Sequence, residues 1–232
     1  MVYMGTQAGK EIYERIKNAN KSIRIITPYL SDDYIELLKE KELQGIKVYL
    51  IVSTDLSSKS KRKGSFKRLI YQIKKINTQK RNIKIISFLL AITLTIVAGF
   101  VAYQNKLDAL SLGLAVSAGF LYYISNKIGA YDYSYDTHFA TNIAQSPYSD
   151  GACESNVLIH SKLYIVDEEV AYTGSMNFTV AGFWKNHELR VTFRKQEDIN
   201  ILMEQFAHLF NSDNVLSYVN PASIAKKIYT EH

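Results

Sequence analysis

Residues 21–53 read KSIRIITPYLSDDYIELLKEKELQGIKVYLIVS, and this stretch decides the fold class. KSIRIITPY (Lys21–Tyr29) alternates as a strand does and stops at Pro28, which has no N–H for a ladder. Ser31 or Asp32 can cap the helix that follows, about Asp32 to Leu43, and Gly45 suits the position just past its end. Lys47 to Ser53 (KVYLIVS) is a second strand. Upstream, residues 6–20 place Ala8, Ile12, Ile16 and Ala19 on one helix face. Helix, strand, helix, strand with short links predicts an α/β layer fold.

The 232 residues are 47% apolar and 22% charged, which excludes a disordered or fibrous chain. A single cysteine, Cys153, excludes an internal disulfide framework and a Cys-rich zinc site, and is expected to be a bystander. The opening MVYMGTQAGK has no apolar run and argues against a cleaved signal peptide. Net charge is +6, but it is concentrated: eleven Lys/Arg fall between Lys59 and Lys84, and no acid occurs from Leu56 to Leu107. The rest of the chain holds 17 basic against 22 acidic residues. Ser65 to Asn77, inside the basic segment, is expected to be a helix running toward a membrane.

Ile85 to Tyr103 (IISFLLAITLTIVAGFVAY) is nineteen residues without a charge, and after QNKLD come eighteen more, Ala109 to Asn126. At ~1.5 Å per residue each run approaches the ~30 Å hydrocarbon thickness of a bilayer. Helices of a soluble core would show a polar stripe, and neither run does. The expectation is a transmembrane hairpin. Ala91, Thr95 and Gly99, and Ser111, Ala115 and Gly119, recur every four positions and would let the two helices approach closely. Tyr103, Tyr122 and Tyr123 sit at the ends of the runs, where amphipathic rings suit the interface. Eleven basic residues before the first span and Lys127 after the second place both chain ends in the cytoplasm by the positive-inside rule, with the linker outside. The basic stretch would lie against anionic headgroups.

Tyr131 to Ser155 has no clear period and reads as a long loop with one strand at most, of the kind that borders a substrate site. Val157 to Asp167 reads as a strand, turned at Glu168 and Glu169 into a second, Val170 to Thr173. Glu188 to Phe193 is another, and an amphipathic helix starts near Asp198. Residues two apart on a strand share a face, so His160 and Lys162 would project together. Ser175 and Asn177, after the turn glycine Gly174, would add neutral donors, and Glu188 a carboxylate able to orient the imidazole. Imidazole, ammonium and hydroxyl or amide donors make a phosphate site without a metal. Singly, each has a duller explanation: a surface His, an Asp167 that merely forms the turn, a punctuating Gly174. His138, His208 and His232 lack ligand spacing, and no metal or cofactor is expected. His187 alternates away from Glu188, and Phe183 and Trp184 are expected to pack the domain.

The combination H-x-K-x4-D-x6-G-S-x-N over His160, Lys162, Asp167, Gly174, Ser175 and Asn177, with Asn186 and Glu188 downstream, resembles the signature (HKD motif) of the phospholipase D superfamily. The TPY at Thr27 to Tyr29 is also similar to a family half-domain, whereas the hairpin has no counterpart in the motif. The resemblance implies a phospholipase D-like α/β/α sandwich interrupted by a two-helix transmembrane hairpin. Residues 1–82 and 128–232 would form the two parts of that domain and 83–127 the hairpin. It implies two motifs meeting at one site, hence a homodimer for a chain with one motif. His160 would be nucleophile in one subunit and general acid/base in the other, through a phosphohistidine with overall retention at phosphorus. Lys162, Ser175 and Asn177 would hold phosphoryl oxygens, Glu188 would orient the imidazole, and Asp167 would be more structural than chemical.

The leading expectation is therefore a membrane-anchored phosphodiesterase acting on phospholipid headgroups, by hydrolysis or transfer, at the cytoplasmic face. An anionic diester in the membrane is the expected substrate. The alternative is a metal-independent endonuclease cutting DNA or RNA, for which the basic segment would track a phosphate backbone. A third reading is a non-enzymatic membrane module that binds phosphorylated ligands.

Overall fold

The computed structural model describes residues 1–54, 62–105, 109–147, 157–212 and 215–229. Two compact units result, Met1–Tyr71 with Tyr135–Glu231, and Gln72–Ser134.

The first unit is built on a seven-stranded mixed sheet. Its strands are β1 (Val2–Gly5), β2 (Ser22–Thr27), β3 (Lys47–Ser53), β6 (Ala140–Ala144), β7 (Leu163–Val166), β8 (Val170–Gly174) and β9 (Glu188–Phe193). Their spatial order is β1-β9-β8-β7-β2-β3-β6. β2 pairs parallel with β3, and β3 parallel with β6, while the other neighbours are antiparallel. The period of two sorts side chains cleanly. Ile23, Ile25, Val48, Leu50, Val52, Tyr164, Val166, Val170 and Tyr172 face one buried cluster. That cluster takes in Ile12 and Ile16 of α1 (Lys10–Lys17), Tyr34, Ile35 and Leu38 of α2 (Asp32–Leu43), Phe66 and Leu69 of α3 (Arg62–Leu69), and Ala225 and Ile228 of α7 (Pro221–Ile228). Ile26, Ile51, Leu163, Ile165 and Ala171 face the other way, onto Ile199 and Phe206 of α6 (Gln196–Asn211). Helices on both faces of a sheet make the α/β/α sandwich that the sequence predicts.

The second unit holds the hairpin: α4 (Thr78–Asn105) and α5 (Ala109–Lys127), both long and apolar enough to cross a membrane. β4 (Ile70–Ile76) leads in and β5 (Tyr131–Thr137) leads out, and these two strands pair. The helices meet on a face that the small-residue spacing predicts only in part, through Ala91 and Ser111. Ala91 and Ala98 on α4 and Ser111, Ala118 and Ser125 on α5 are buried, seven residues apart, and Thr95, Gly99, Ala115 and Gly119 are exposed. The buried small residues recur every seven positions, so a row stepping by four leaves the contact after its first member.

Other departures follow from local chemistry. The predicted helix over residues 65–77 breaks at Leu69, because Ile70, Tyr71, Ile73 and Ile76 are β-branched or aromatic and find a partner in β5. Tyr131 to Ser155 contains two strands rather than at most one; the alternating Tyr131, Tyr133 and Tyr135 of YDYSYDT was the signal. Residues 148–156, with Cys153, lie outside the described residues, as do Lys106, Asp108 and His232. Only Leu163–Val166 of the predicted strand Val157 to Asp167 is regular. β1 and α7 have no antecedent in the sequence reading, though Asn220 followed by Pro221 is a legible start, and the Asn220 side chain accepts from the Ala222 amide at 2.9 Å. Ser31 stands at the start of α2, but its hydroxyl makes no cap bond.

Candidate active site

The strand register delivers the predicted residues, Asp167 excepted, to one end of the sheet. β8 ends at Gly174 where β9 begins at Glu188, and the start of β7 lies alongside, Leu163 opposite Thr173. Just before β7, Lys162 turns its ammonium back. Its Nζ donates to the His160 carbonyl at 2.7 Å and lies 3.1 Å from His160 Nδ1 and 3.3 Å from Nε2. The Thr173 hydroxyl donates to the Lys162 carbonyl at 2.9 Å and so fixes this extended segment to β8. His160 and Lys162 do project together, although neither is on a strand.

Lys162 is 6% exposed, and burial pulls its ammonium below the usual lysine range, opposed by the negative charge of Glu188. His160 is exposed. A buried cation beside an open imidazole can hold an anion against the ring without water competing for it.

Glu188 is buried and its partners are not the imidazole. It accepts a short hydrogen bond from the Ser175 hydroxyl and one from the Asn186 amide at 3.2 Å. Ser175 Oγ in turn accepts from the Leu189 amide at 3.0 Å. The expected contact from Glu188 to His160 is absent among the described hydrogen bonds, and Ser175 spends its proton on Glu188 instead of offering it to a ligand. The trio Ser175, Asn186 and Glu188 fixes the rim of the site and leaves one negative charge facing Lys162.

The loop carrying Asn177 is braced from three sides. Tyr164 donates to the Met176 carbonyl at 2.7 Å, the Phe178 amide donates to Thr27 Oγ1 at 3.2 Å, and Gly182 passes so close that a Cβ there would lie 2.5 Å from the Asn177 carbonyl oxygen. Burial raises the Tyr164 phenol far above its ordinary range, which keeps it a donor. Asn177 Oδ1 is buried and has no hydrogen-bond partner among the described residues. Buried polar atoms are nearly always paired, so an orphan acceptor on the loop two residues past Ser175 marks a place for a donor from beyond the described residues. Gly174 is required here: at φ +156 a Cβ would meet the Leu189 carbonyl oxygen at 1.9 Å.

Asp167 is not at this end. It follows the far end of β7, about 13 Å of strand from Leu163 at ~3.3 Å per residue. At φ +56 it aims its carboxylate at three backbone amides, Asn20 at 3.0 Å, Lys21 at 2.7 Å and Ser22 at 3.1 Å. The spacing of the motif is therefore the length of a strand, with chemistry at one end and a clamp at the other. The aromatics behave as packing residues: Phe183 is fully buried under Gly9, and Trp184 Nε1 donates to the Tyr34 hydroxyl at 3.0 Å. His138 packs 4.8 Å from the Tyr71 ring, and His187 is exposed. Thr173 and Tyr164, which hold the site in place, went unread, and Thr27 was noted only within the TPY resemblance, since no residue pattern distinguishes a bracing hydroxyl from an ordinary strand residue.

The family model described as "Cardiolipin synthase, PLD-like domain" matches residues 124–210, which include every residue of the site except Thr27. Residues 124–210 belong to the phospholipase D superfamily. Phosphodiester chemistry is the general reaction class of that superfamily. Among solved structures, NucT from Helicobacter pylori aligns at 13% identity over 94% of this chain and 98% of that one, TM-score 0.49. A phospholipase D family member, Nuc from Salmonella typhimurium, aligns at 15% identity over 95% and 98%, TM-score 0.44. A phosphatidylserine synthase of Haemophilus influenzae Rd KW20 aligns at 11% identity over 98% of this chain and 43% of that one, TM-score 0.43. No curated protein matches the sequence.

Proposed function

We propose that the chain is a membrane-anchored phosphodiesterase of the phospholipase D type, acting on phospholipid headgroups from the cytoplasmic face. The observation that carries this reading is the pairing of an exposed imidazole with a buried ammonium 3.1 Å away, in a chain with two helices able to cross a membrane. A His160 ring nitrogen attacks phosphorus and the bond to the headgroup oxygen breaks, giving a phosphohistidine. The leaving oxygen takes its proton from the imidazolium of a second copy's motif, since one chain supplies one histidine of this kind. Water, or an acceptor alcohol, then gives its proton to that second imidazole and attacks phosphorus, releasing His160. Lys162 holds the non-bridging oxygens throughout. Asn177 is a further donor to those oxygens through its amide N–H, while its buried Oδ1 accepts and is open to a donor from the second copy. Homodimerisation across a two-fold axis is part of the proposal. Glu188 acts through Ser175 and Lys162, as a positioning residue.

The test is a paired assay in EDTA on the full chain in nanodiscs. Phosphatidylglycerol or cardiolipin and labelled single-stranded DNA are offered separately, with His160→Ala as control. Headgroup release that vanishes in the variant, with DNA intact, supports the proposal. DNA cleavage that depends on His160, with lipid untouched, replaces it with the endonuclease reading.

A further inference from the structure

The unit Gln72–Ser134 contains seven described charged residues: Lys74, Lys75, Lys80, Arg81, Lys84, Lys127 and Asp132. All seven lie at the root of the hairpin, where β4 enters and β5 leaves, and six are basic. The one carboxylate, Asp132, is engaged by Lys80 at 2.6 Å and by the Asn77 amide at 2.7 Å, which staples β5 to the first turn of α4. Tyrosine rings surround these cations: Lys74 Nζ lies 4.0 Å from the Tyr131 ring and 5.9 Å from Tyr133, and Lys127 Nζ 5.6 Å from Tyr123.

Helix geometry fixes the depth of this cluster. The charge-free part of α4 starts at Ile85, so Lys84 and Lys80 stand about 1.5 Å and about 7.5 Å outside it at ~1.5 Å per residue. Lys127 is one residue past the charge-free part of α5. A headgroup layer occupies about 5–7 Å on each side of the hydrocarbon. Arg81, Lys84 and Lys127 therefore fall at the level of lipid phosphates, with Lys80 at its outer edge, and all but Lys84 are exposed. Tyr123 and Tyr131, also exposed, are side chains that settle at this depth. A nucleic acid would have to bring its phosphates to the hydrocarbon boundary to meet the same groups.

We propose that the root of the hairpin, Arg81, Lys84 and Lys127 with the Tyr123 and Tyr131 rings, is a binding collar for anionic phospholipid, selecting it from the bilayer around the protein. Lipid binding there is independent of catalysis at His160 and holds whether or not the enzyme reading does.

The experiment uses the full chain in phosphatidylcholine vesicles carrying trace spin-labelled phosphatidylglycerol or phosphatidylcholine, and reads the motionally restricted fraction of each. Phosphatidylglycerol is expected to be enriched at the protein, and enrichment is expected to weaken in 0.5 M salt. Arg81→Gln, Lys84→Gln and Lys127→Gln together are expected to cut the preference at least about fivefold, the effect of one basic side chain near an anionic surface. The charge-keeping set Arg81→Lys, Lys84→Arg and Lys127→Arg is expected to retain it. Equal restriction of both labels by the unmodified protein overturns the proposal, and so does a preference unmoved by the triple Gln change. Should that variant not reconstitute, the wild-type comparison and its salt dependence decide the matter alone. Retention of single-stranded DNA that depends on the same residues, with no lipid preference, reassigns the face to nucleic acid.

Discussion

Replacing Asp167 by Ala separates the two ends of the motif. The Asp167 carboxylate accepts from three successive amides, Asn20, Lys21 and Ser22, and so holds the link from α1 into β2 against the far end of β7. Hydrogen bonds to a charged group contribute about 1.5–3 kcal/mol each when buried. The Asn20 and Lys21 contacts are exposed, so water recovers most of their share, and the Ser22 contact is half-buried. The expected loss is about 2–3 kcal/mol, or a fall in melting temperature of about 4–12 °C for a chain of this size. Headgroup release per folded molecule is expected to change less than threefold, because Asp167 stands a strand's length from His160.

The measurement is thermal unfolding in detergent beside turnover at a temperature where both proteins are folded. His160→Ala supplies the opposite signature: unchanged melting, since the ring is exposed, and no turnover. A hundredfold loss of turnover in Asp167→Ala with melting unchanged would refute the clamp and put the carboxylate in the chemistry.

Three further outcomes follow from the geometry. Gly174→Ala drives a Cβ into the Leu189 carbonyl oxygen, so the β8–β9 junction must open; melting falls and turnover falls with it, both visible in one circular-dichroism and activity series. Asn177→Ala removes an amide N–H donor together with a buried oxygen that has no partner among the described residues, so stability should hold or rise slightly while turnover drops about 10²–10³-fold, the range for one lost transition-state donor. Burial, then the nearby Lys39 ammonium, lower the His138 pKa below 6.5, so the unfolded chain binds a proton more readily. Stability should then rise with pH up to about that value and be lost on acidification below it, and His138→Gln should flatten that part of a melting-temperature profile.

The layer fold was legible because β2, α2 and β3 carry their own periods, stops and caps, and residues 21–53 need nothing distant to be read. The motif was legible as a set of positions. What was hidden is how the positions divide. Spacing on a strand tells which residues share a face but not that Lys162 turns back to its own neighbour's carbonyl, nor that Ser175 and Glu188 satisfy one another. Those choices depend on the register of β8 against β9, which no local signal sets. The hairpin shows the same limit in another form. Its length and lack of charge predicted two long helices, but two small-residue rows cross on each, at Ala91 and at Ser111, and packing followed the seven-residue row on through Ala98, Ala118 and Ser125.

The place of the hairpin in the chain follows from the sheet. β3 and β6 are parallel neighbours, and parallel neighbours cannot be joined by a tight turn: the chain must cross back over the sheet. That crossing is an obligatory long connection, and here it carries α3 onto one face before β4, α4, α5 and β5. Lengthening a connection that is already long costs little, because closure entropy grows only with the logarithm of its length. Every connection among β7, β8 and β9 is different. These strands are antiparallel, and the links between them carry Asp167 on one side and Ser175 and Asn177 on the other, leading into Glu188 at the start of β9, so an insertion in the β8–β9 link would displace the site itself. An apolar hairpin could enter this fold at the β3–β6 crossover without lengthening any link among β7, β8 and β9, and that is where α4 and α5 stand.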